Sequence, residues 1–454
     1  MAVRRNKEKV LVVVYKATSE LDFIIPFIWK LRNNLSKVDI SILYCVLDKK
    51  MILRKSLFYT KELAKMNVTE YDYSDFIIKP LAFLEPLIRK LFFFSFWDFT
   101  SLHFGFSQRG RIRKKTFQFF VIFQRKMLRI MEKILNKIIS FKTMLRCLKP
   151  DIIFFPLRNY VFYGKDKIYK YTYENDVKVV LYPHSPFPSS GRYSLHYGYR
   201  EWNKGEVIPE FCCYWSSLRE ELTFDNYPQL QDRNFYAGYP GNDLEWFDYL
   251  KSDYNRLLNN DDGEKQLKCL FIARRFVLDE PNDGSYDYMY LEEVLDILTS
   301  LADCFKKLNL NIELVIKPHP QNDFNSIKKM MNCIDCSNWS ITYQPIYQEL
   351  VKNDFFVSVP SGITLIPALY GKPVILINCS VKKLFERWSV TKKIFSGAQF
   401  YVDELSQLED VVGKVIDCVE RDTDCVRKEK EHYRGYFPDG SLGNCLNEFK
   451  KLMG

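Results

Sequence analysis

The sequence predicts an α/β protein built on two doubly wound parallel sheets, and three observations support this fold class. The chain has 454 residues, two to three times the length of a usual domain. Short apolar, β-branched runs alternate with amphipathic stretches, as buried strands alternate with covering helices. A polar stretch at 259–266 separates two such series. We therefore expect a first domain over 1–245, a second over 246–431, and a C-terminal segment over 432–454 whose final helix packs back on the first domain.

The first domain is expected to begin with a strand and a helix. Lys9–Tyr15 is a continuous apolar run, typical of a strand buried on both faces of a sheet. An amphipathic stretch follows as far as Asn33, and its first residues predict a capping box with Ser19 as the N-cap and Asp22 as its partner. Three further strands are expected at 39–47, 151–155 and 177–182.

The second domain shows the same alternation, and polar residues follow its strands. The strands are expected at 267–273, 312–316, 355–359 and 374–378, and a helix is expected at 288–308. In open α/β sheets, ligands bind outside the carboxyl ends of the strands. The loops that follow these strands are therefore the expected place for a binding site.

Composition excludes several classes of protein. With 47% hydrophobic and 27% charged residues, the chain is neither disordered nor fibrous. Its apolar stretches are shorter than the roughly 18 to 20 residues that span a bilayer, and no signal peptide is recognisable. The 12 cysteines scattered along a chain of this size indicate reduced thiols in a cytoplasmic protein. Cys333 and Cys336 are expected to be ordinary thiols, because no second pair and no nearby His accompanies them.

Most of the positive charge lies in one insertion at 77–149. The whole chain has a net charge of +10, whereas 79–149 contains 16 Lys and Arg and three acidic residues. An aromatic cluster at 92–99 is followed by a basic run at 109–115 and by apolar residues at helical spacing. Two interpretations remain open: a domain helix with a solvated basic face, or a segment that lies on an anionic membrane surface.

Three groups of side chains in the second domain have the chemistry of a phosphate site. Two prolines fix the turn around one Lys and one His. A Ser, Gly and Thr cluster follows the next strand and precedes a short helix, where hydroxyl and backbone N–H groups can bind an anion. Two arginines follow the first strand and can neutralise a diphosphate. The candidate phosphate-binding residues are Arg274, Arg275, Lys317, His319, Ser358, Ser361, Gly362 and Thr364. Because they follow parallel strands, we expect them at one edge of the sheet.

The order and spacing of these motifs resemble the GT-B glycosyltransferases, and among them the proteins of bacterial surface-carbohydrate and capsule synthesis. The resemblance covers most of the chain outside 77–149. The matching segments are Ser19–Asp22, Pro183–Ser185, Ala237–Asp243, Lys317–Pro320, Pro360–Gly362, Gly371–Val374 and Phe437–Ser441. The resemblance implies two Rossmann-like domains that face a cleft, with a nucleotide sugar held by the second domain and an acceptor held by the first.

The resemblance also implies roles for individual residues. Lys317 and His319 would contact the donor phosphate or nucleotide, and Ser361, Gly362 and Thr364 its phosphate or ribose. The sequence departs from the group at 366–368, where Ile-Pro-Ala stands in place of a motif that often carries a Glu for the ribose or the sugar.

Sugar transfer with inversion needs a base that takes the proton of the acceptor hydroxyl. Glu20 and His184 are the candidates, because they lie in loops or first turns that follow strands of the first domain. Asp22 is assigned to helix capping instead. No Asp-x-Asp motif precedes the donor site, so neither a metal nor a cofactor is predicted.

The predicted function is transfer of a sugar from a nucleotide donor to a glycan or lipid-linked glycan, at the cytoplasmic side of a membrane. Two alternatives remain open. One is a nucleotide-sugar 2-epimerase of the same fold, and the other is a non-enzymatic polymer-binding protein that uses 109–115. The sequence has no RRM, KH or helix-turn-helix pattern, so a nucleic-acid partner is not expected.

Overall fold

A computed structural model gives the structure of the chain for the following residues. They are 8–14, 18–44, 57–76, 141–156, 171–182 without 173, 211–214, 234–258 without 237, 266–277 without 275, 289–319, 331–334 without 333, 338–379, 394–421 and 426–453 without 438. Within these ranges the architecture consists of two parallel sheets with helices on their faces. The α/β fold class expected from the sequence is confirmed.

The first sheet contains seven described strands. They are β1 (Glu8–Val14), β2 (Val38–Tyr44), β3 (Thr69–Asp72), β4 (Ile152–Pro156), β5 (Lys178–Tyr182), β6 (Phe211–Tyr214) and β7 (Asn234–Tyr236). Their order is β3-β2-β1-β4-β5-β6-β7, and all neighbours are parallel. The four strands predicted from apolar runs are confirmed as β1, β2, β4 and β5.

The second sheet contains six described strands, and a short parallel pair lies beside it in the chain. The sheet strands are β8 (Leu267–Ile272), β11 (Ile312–Lys317), β12 (Trp339–Ile341), β13 (Phe355–Ser358), β14 (Val374–Ile377) and β15 (Phe400–Val402), and the pair is β9 (Phe276–Val277) with β10 (Met289–Tyr290). The order is β12-β11-β8-β13-β14-β15, again parallel throughout. The four strands predicted for this domain are confirmed as β8, β11, β13 and β14.

Helices connect the strands and cover the sheets. They are α1 (Thr18–Asn34), α2 (Leu57–Lys65), α3 (Phe141–Leu148), α4 (Leu244–Leu258), α5 (Leu291–Lys307), α6 (Ile346–Leu350), α7 (Leu365–Tyr370), α8 (Leu408–Glu420), α9 (Arg427–Tyr436) and α10 (Ser441–Met453). Short 3-10 helices occupy Tyr73–Phe76, Pro240–Asn242, Gly362–Thr364 and Leu405–Gln407. Among the described helices, none has the length and hydropathy that a membrane span requires.

The predicted capping box at the start of α1 is wrong. The helix begins at Thr18, so Ser19 lies inside its first turn rather than at the N-cap. The Asp22 carboxylate accepts a hydrogen bond from the Tyr59 hydroxyl of α2. The Ser-x-x-Asp spacing is typical of a contact within one helix, whereas the Asp22 side chain contacts a residue of a second helix.

One cluster of buried side chains extends across both sheets. It contains Phe23 of α1 and Phe356 of β13. Tyr347 of α6 lies between the two halves, with its ring centroid 6.5 Å from that of Phe58 and 6.3 Å from that of Trp246. The two sheets are thus held by a shared apolar contact, and not only by the chain that links them.

The C-terminal helix α10 lies against the first sheet. The Phe449 ring is 6.0 Å from Phe27 of α1 and 6.2 Å from Phe154 of β4. The Lys178 ammonium of β5 donates to the Leu452 carbonyl at the end of α10. The last helix of the chain therefore contributes to the core of the first domain.

Asp243 connects this helix to α4. Its Oδ2 atom accepts hydrogen bonds from the Leu442 amide at 2.9 Å and the Ser441 hydroxyl at 3.0 Å, both at the start of α10. Its Oδ1 atom accepts a bond of 2.9 Å from the Glu245 amide in the first turn of α4. One buried carboxylate thus satisfies backbone donors of two helices that are far apart in sequence.

The predictions for the cysteines and for the basic insertion can be compared with the structure only in part. Cys147, Cys269, Cys304, Cys379 and Cys445 are free thiols, whereas Cys418 takes part in a disulfide, so the expectation that every cysteine is reduced does not hold for Cys418. Cys333, Cys336 and all of the basic insertion except the segment around α3 lie outside the described residues.

Candidate active site

Three strand ends of the second sheet lie at the same level. Lys317, the last residue of β11, is in register with Ile272 at the end of β8. Ser358, the last residue of β13, is in register with the same Ile272. The segments that follow these strands, which begin at Ala273, Pro318 and Val359, therefore leave the sheet side by side. This edge carries the candidate donor-binding residues, of which Arg275 lies outside the described residues.

The loop after β13 is held by its own hydroxyl groups. Thr364 contacts the hydroxyl of Ser358 at 3.0 Å and that of Ser361 at 2.9 Å, and it donates to the Val359 carbonyl at 3.1 Å. Ser358 and Thr364 are buried, and Ser361 is partly exposed. The two buried hydroxyl groups fix the shape of the loop, and Ser361 is the member of the cluster with surface available to a ligand.

Arg274 braces this loop from the neighbouring strand. Its guanidinium donates to the Pro360 carbonyl at 2.8 Å, and the side chain is partly buried. A guanidinium presents its N–H donors in one fixed plane, so this bond also sets the orientation of the whole group. Arg274 and the loop 358–364 thus form one structural unit at the sheet edge.

Lys317 points towards the first domain. Its ammonium donates to the Gln344 carbonyl, and burial lowers its pKa while the charges of Asp22 and Glu349 oppose that effect. His319 follows two residues later and is partly exposed. A cation therefore lies where the second domain meets the first, within electrostatic reach of two carboxylates.

Asp22 is the carboxylate on the side of the first domain. Its pKa is raised to about 6 by burial, while the Tyr59 hydroxyl and the Lys317 charge act in the opposite direction. The Tyr347 hydroxyl reaches the Asp22 carbonyl at 3.3 Å from the second domain. A carboxylate of the first domain and an ammonium of the second thus interact across the boundary between the domains.

The close approach at this boundary depends on Gly241. A Cβ atom at this position would lie 2.9 Å from the Asp22 carbonyl oxygen and closer still to the Tyr347 hydroxyl. Contacts under 3.0 Å require neighbouring atoms to move. The absence of a side chain at Gly241 therefore allows α1, α6 and the 239–242 turn to meet.

Several buried polar atoms near this boundary have no hydrogen-bond partner among the described residues. They are the Nδ2 and Oδ1 atoms of Asn242 and the Oε1 atoms of Gln344 and Gln348. A buried polar atom without a partner costs about 1 to 3 kcal/mol. A water, an ion or a ligand at this boundary would satisfy them.

The candidate bases predicted from the sequence differ in their surroundings. Glu20 is fully buried in the first turn of α1, with no accessible surface. His184 lies outside the described residues. Asp22, two residues after Glu20, retains partial exposure and faces the second domain.

Sequence reasoning missed the tyrosines that the two domains bring to this boundary. Tyr59, Tyr239 and Tyr347 surround Asp22, and none of them stands in a motif that indicates this contact. Tyr239 lies within Ala237–Asp243, a segment used only for the family resemblance. A search for tyrosines near predicted strand ends would have returned too many candidates in a chain with 29 Tyr.

Among the described residues, no group of three or more His, Cys, Asp and Glu side chains has the arrangement of a metal site. The chemistry available at the boundary is that of cations, hydroxyl groups and one carboxylate with a pKa near neutrality. This set can bind an anion and accept a proton.

Comparison with known proteins identifies the fold. No family model and no curated protein matches the sequence. Solved structures match over nearly the whole chain: a UDP co-structure of S. aureus MnaA (10% identity, 98% of this chain and 97% of that chain, TM-score 0.54), a putative UDP-N-acetylglucosamine 2-epimerase from Listeria monocytogenes (11%, 98% and 97%, 0.55), and Medicago truncatula UGT71G1 complexed with UDP-glucose (10%, 100% and 100%, 0.51).

These neighbours share the GT-B fold. The chain therefore has the GT-B type of architecture, with two Rossmann-like domains that face a cleft, as the resemblance implied. At sequence identities of 10–11% the likeness describes the fold alone. Activity has to be argued from the residues at the cleft.

Proposed function

We propose that this protein is a glycosyltransferase that binds a nucleotide-activated sugar in the cleft and transfers the sugar to a hydroxyl group of an acceptor. The observation that carries the proposal is the meeting of two chemistries at the domain boundary. Cations and a hydroxyl-rich loop follow strands of the second sheet, and Asp22 of the first domain faces Lys317. A diphosphate needs the first group of residues, and an acceptor hydroxyl needs the second.

In this proposal the donor-binding residues have two kinds of role. Arg274, Arg275, Lys317 and His319 neutralise and orient the diphosphate, and Ser361 and Gly362 offer donors to it. Ser358 and Thr364 are buried and bonded within the loop, so they keep its shape. Solved neighbours in complex with UDP or UDP-glucose support a uridine nucleotide as the first donor to test.

The acceptor that we propose is a lipid-linked glycan of surface-polysaccharide synthesis, at the cytoplasmic side of an anionic membrane. The charge of the insertion 77–149 supports this, because each Lys or Arg near anionic lipid contributes about 1 kcal/mol. The protein should sediment with anionic liposomes at low salt and detach at high salt. Conversion of Arg111, Arg113, Lys114 and Lys115 to Glu should abolish sedimentation and leave nucleotide affinity unchanged. Equal sedimentation of this variant would refute the membrane role.

Calorimetric titration with UDP tests the donor site. His319→Ala and Ser361→Ala should each weaken binding by roughly 1 to 3 kcal/mol, the range for a hydrogen bond to a charged group, which is roughly 5- to 150-fold in Kd. Ser406→Ala, at an exposed serine of the second domain, is the matched control and should bind as wild type does. Unchanged affinity in both site variants would remove this site.

A nucleotide-sugar 2-epimerase is the second candidate, because solved neighbours of the same fold include UDP-N-acetylglucosamine 2-epimerases. Incubation of the purified protein with UDP-N-acetylglucosamine and no acceptor separates the two, with the products followed by proton NMR. The transferase proposal predicts slow release of UDP without a 2-epimer. Accumulation of the 2-epimer would establish the alternative.

A further inference from the structure

The structure provides one carboxylate that meets the requirements of an acceptor base better than Glu20, the predicted candidate that lies among the described residues. A base must lie within hydrogen-bond reach of the proton that it takes. Glu20 has no accessible surface, so its carboxylate cannot touch an acceptor in this arrangement of the domains. Asp22 is partly exposed and lies one helical turn or less from Glu20 on the same helix.

The position of Asp22 is defined from both domains. It lies in the helix that follows the carboxyl end of β1. Tyr347 reaches its carbonyl oxygen from the second domain at 3.3 Å, and Lys317 at the carboxyl end of β11 acts on it electrostatically. Asp22 therefore lies between the carboxyl edges of the two sheets, which is where a donor on one domain meets an acceptor on the other.

The groups around Asp22 fix the orientation of the carboxylate. The Tyr59 hydroxyl donates to Oδ1. Among the described residues, the other titratable groups that act on it are Tyr239 and Tyr347, which are neutral because burial raises their pKa well above the ordinary value, and Lys317. The charge of Glu349 also acts on Lys317. Within the described part of the chain, one cation and one hydrogen-bond donor thus accompany the Asp22 carboxylate.

We propose that Asp22, rather than Glu20, is the catalytic base of the transfer, and that Tyr59 is the positioning residue that orients it. This proposal rests on the proposed function. Tyr59 holds Oδ1, and Oδ2 takes the proton of the acceptor hydroxyl. As that O–H bond breaks, the acceptor oxygen forms a bond to the anomeric carbon. The bond from that carbon to the diphosphate oxygen breaks, and its electron pair leaves with the nucleotide, with inversion at the carbon.

The electrostatic surroundings agree with this role. A pKa of about 6 leaves Asp22 mostly ionised at pH 7 and makes it a stronger base than an ordinary aspartate, which is the compromise that general-base catalysis favours. Turnover should therefore fall as the pH decreases through about 6. The Tyr59 hydroxyl lowers the pKa of Asp22. Its removal should therefore raise that pKa and move the decrease in turnover to higher pH.

The experiment compares Asp22→Asn, Tyr59→Phe and the control Asp296→Asn, which makes the same change at an exposed aspartate of α5. Nucleotide release to water is measured with a panel of UDP-, GDP- and CMP-activated sugars from pH 5 to 9, and nucleotide affinity is measured by calorimetry. Asp22→Asn should lose about 100-fold or more in kcat while nucleotide affinity stays unchanged. Tyr59→Phe should retain turnover with its acidic limb at higher pH, and Asp296→Asn should equal wild type.

The outcomes separate the two proposals. If wild type binds no nucleotide and releases none from any activated sugar, the proposed function fails, and the assignment of Asp22 falls with it. If wild type is active and Asp22→Asn retains its turnover and its acidic limb, only the assignment of Asp22 is refuted. Loss of activity together with loss of nucleotide affinity would also refute it, because the residue would then act in donor binding.

Discussion

Asp22→Asn should make the protein more stable at neutral pH, although it is expected to remove activity. The folded structure raises the pKa of Asp22 from its ordinary 3.8 to about 6, mainly by burial. Each pH unit between the folded and unfolded pKa corresponds to about 1.4 kcal/mol, so the ionised carboxylate costs about 3 kcal/mol at pH 7.5. Asparagine has nearly the same shape and still accepts a hydrogen bond from Tyr59. The cost is an upper value, because part of the side chain reaches water and because Lys317 loses an opposite charge.

The pH dependence has a definite sign. Because the folded pKa lies above the unfolded one, the folded protein binds more protons than the unfolded chain between about pH 4 and 6. Wild type therefore loses this stability contribution as the pH rises through that range, and the variant does not. The difference between the two proteins should be about 3 kcal/mol at pH 7.5 and about half of that at pH 5.

Thermal unfolding measured by intrinsic fluorescence provides the assay. An unfolding entropy of about 2.1 cal/mol/K per residue gives about 1 kcal/mol/K for 454 residues. The midpoint of Asp22→Asn should then exceed that of wild type by about 3 °C at pH 7.5 and by about half as much at pH 5. Asp296→Asn should show no such difference. A variant that is less stable than wild type at pH 7.5, by an amount that does not change with pH, would refute the reasoning.

Three further substitutions test the contacts that hold the domains, each by the shift of the unfolding midpoint. Gly241→Ala should lower the free energy of unfolding by about 1 to 3 kcal/mol, because the added Cβ would overlap the Tyr347 hydroxyl. An unchanged midpoint would mean that the 239–242 turn moves freely. Arg434→Met should lower the free energy of unfolding by about 2 to 3 kcal/mol, because the Arg434 guanidinium donates to two carbonyls and pairs with Asp439. An unchanged midpoint would show that those bonds are dispensable. Asp243→Ala should lower the free energy of unfolding by about 2 to 4 kcal/mol, since it removes the caps of both α4 and α10. Asp243→Asn keeps one acceptor and should cost about half as much. Equal losses in the two variants would contradict the double cap.

The elements that could be predicted from the sequence are those whose signal is local. β1, β2 and β8 consist mostly of apolar, buried residues because they lie inside a parallel sheet. The edge strand β3 (Thr69–Asp72) carries no such run, since its residues are exposed or partly exposed, and it was not predicted. The short strands β6 and β12 were missed for a similar reason, because three or four residues cannot show a period.

The candidate site could be predicted only on the side of the second domain. Lys317, His319 and the loop 358–364 each follow a strong strand, so the rule for parallel sheets placed them at one edge. Asp22 was assigned to a capping box, because Ser19 precedes it by three residues. Its actual partners, Tyr59 and Lys317, are 37 and 295 residues away. No local pattern records a contact of that kind, because it forms only when α1 packs against α2 and the two domains meet.

The stability that the fold loses at the domain boundary supports the interpretation of this boundary as a reaction site. Burial there raises the pKa of Asp22 and lowers that of Lys317, so both charged forms are less stable than in water. The side-chain amide of Asn242 and the Oε1 atom of Gln344 add buried polar atoms without partners among the described residues. A purely structural interface would favour apolar replacements at such positions, because a buried ion pair contributes little net stability. A site that must bind an anion and accept a proton needs these groups in place before the ligand arrives, and the stability lost in holding them is what Asp22→Asn should recover.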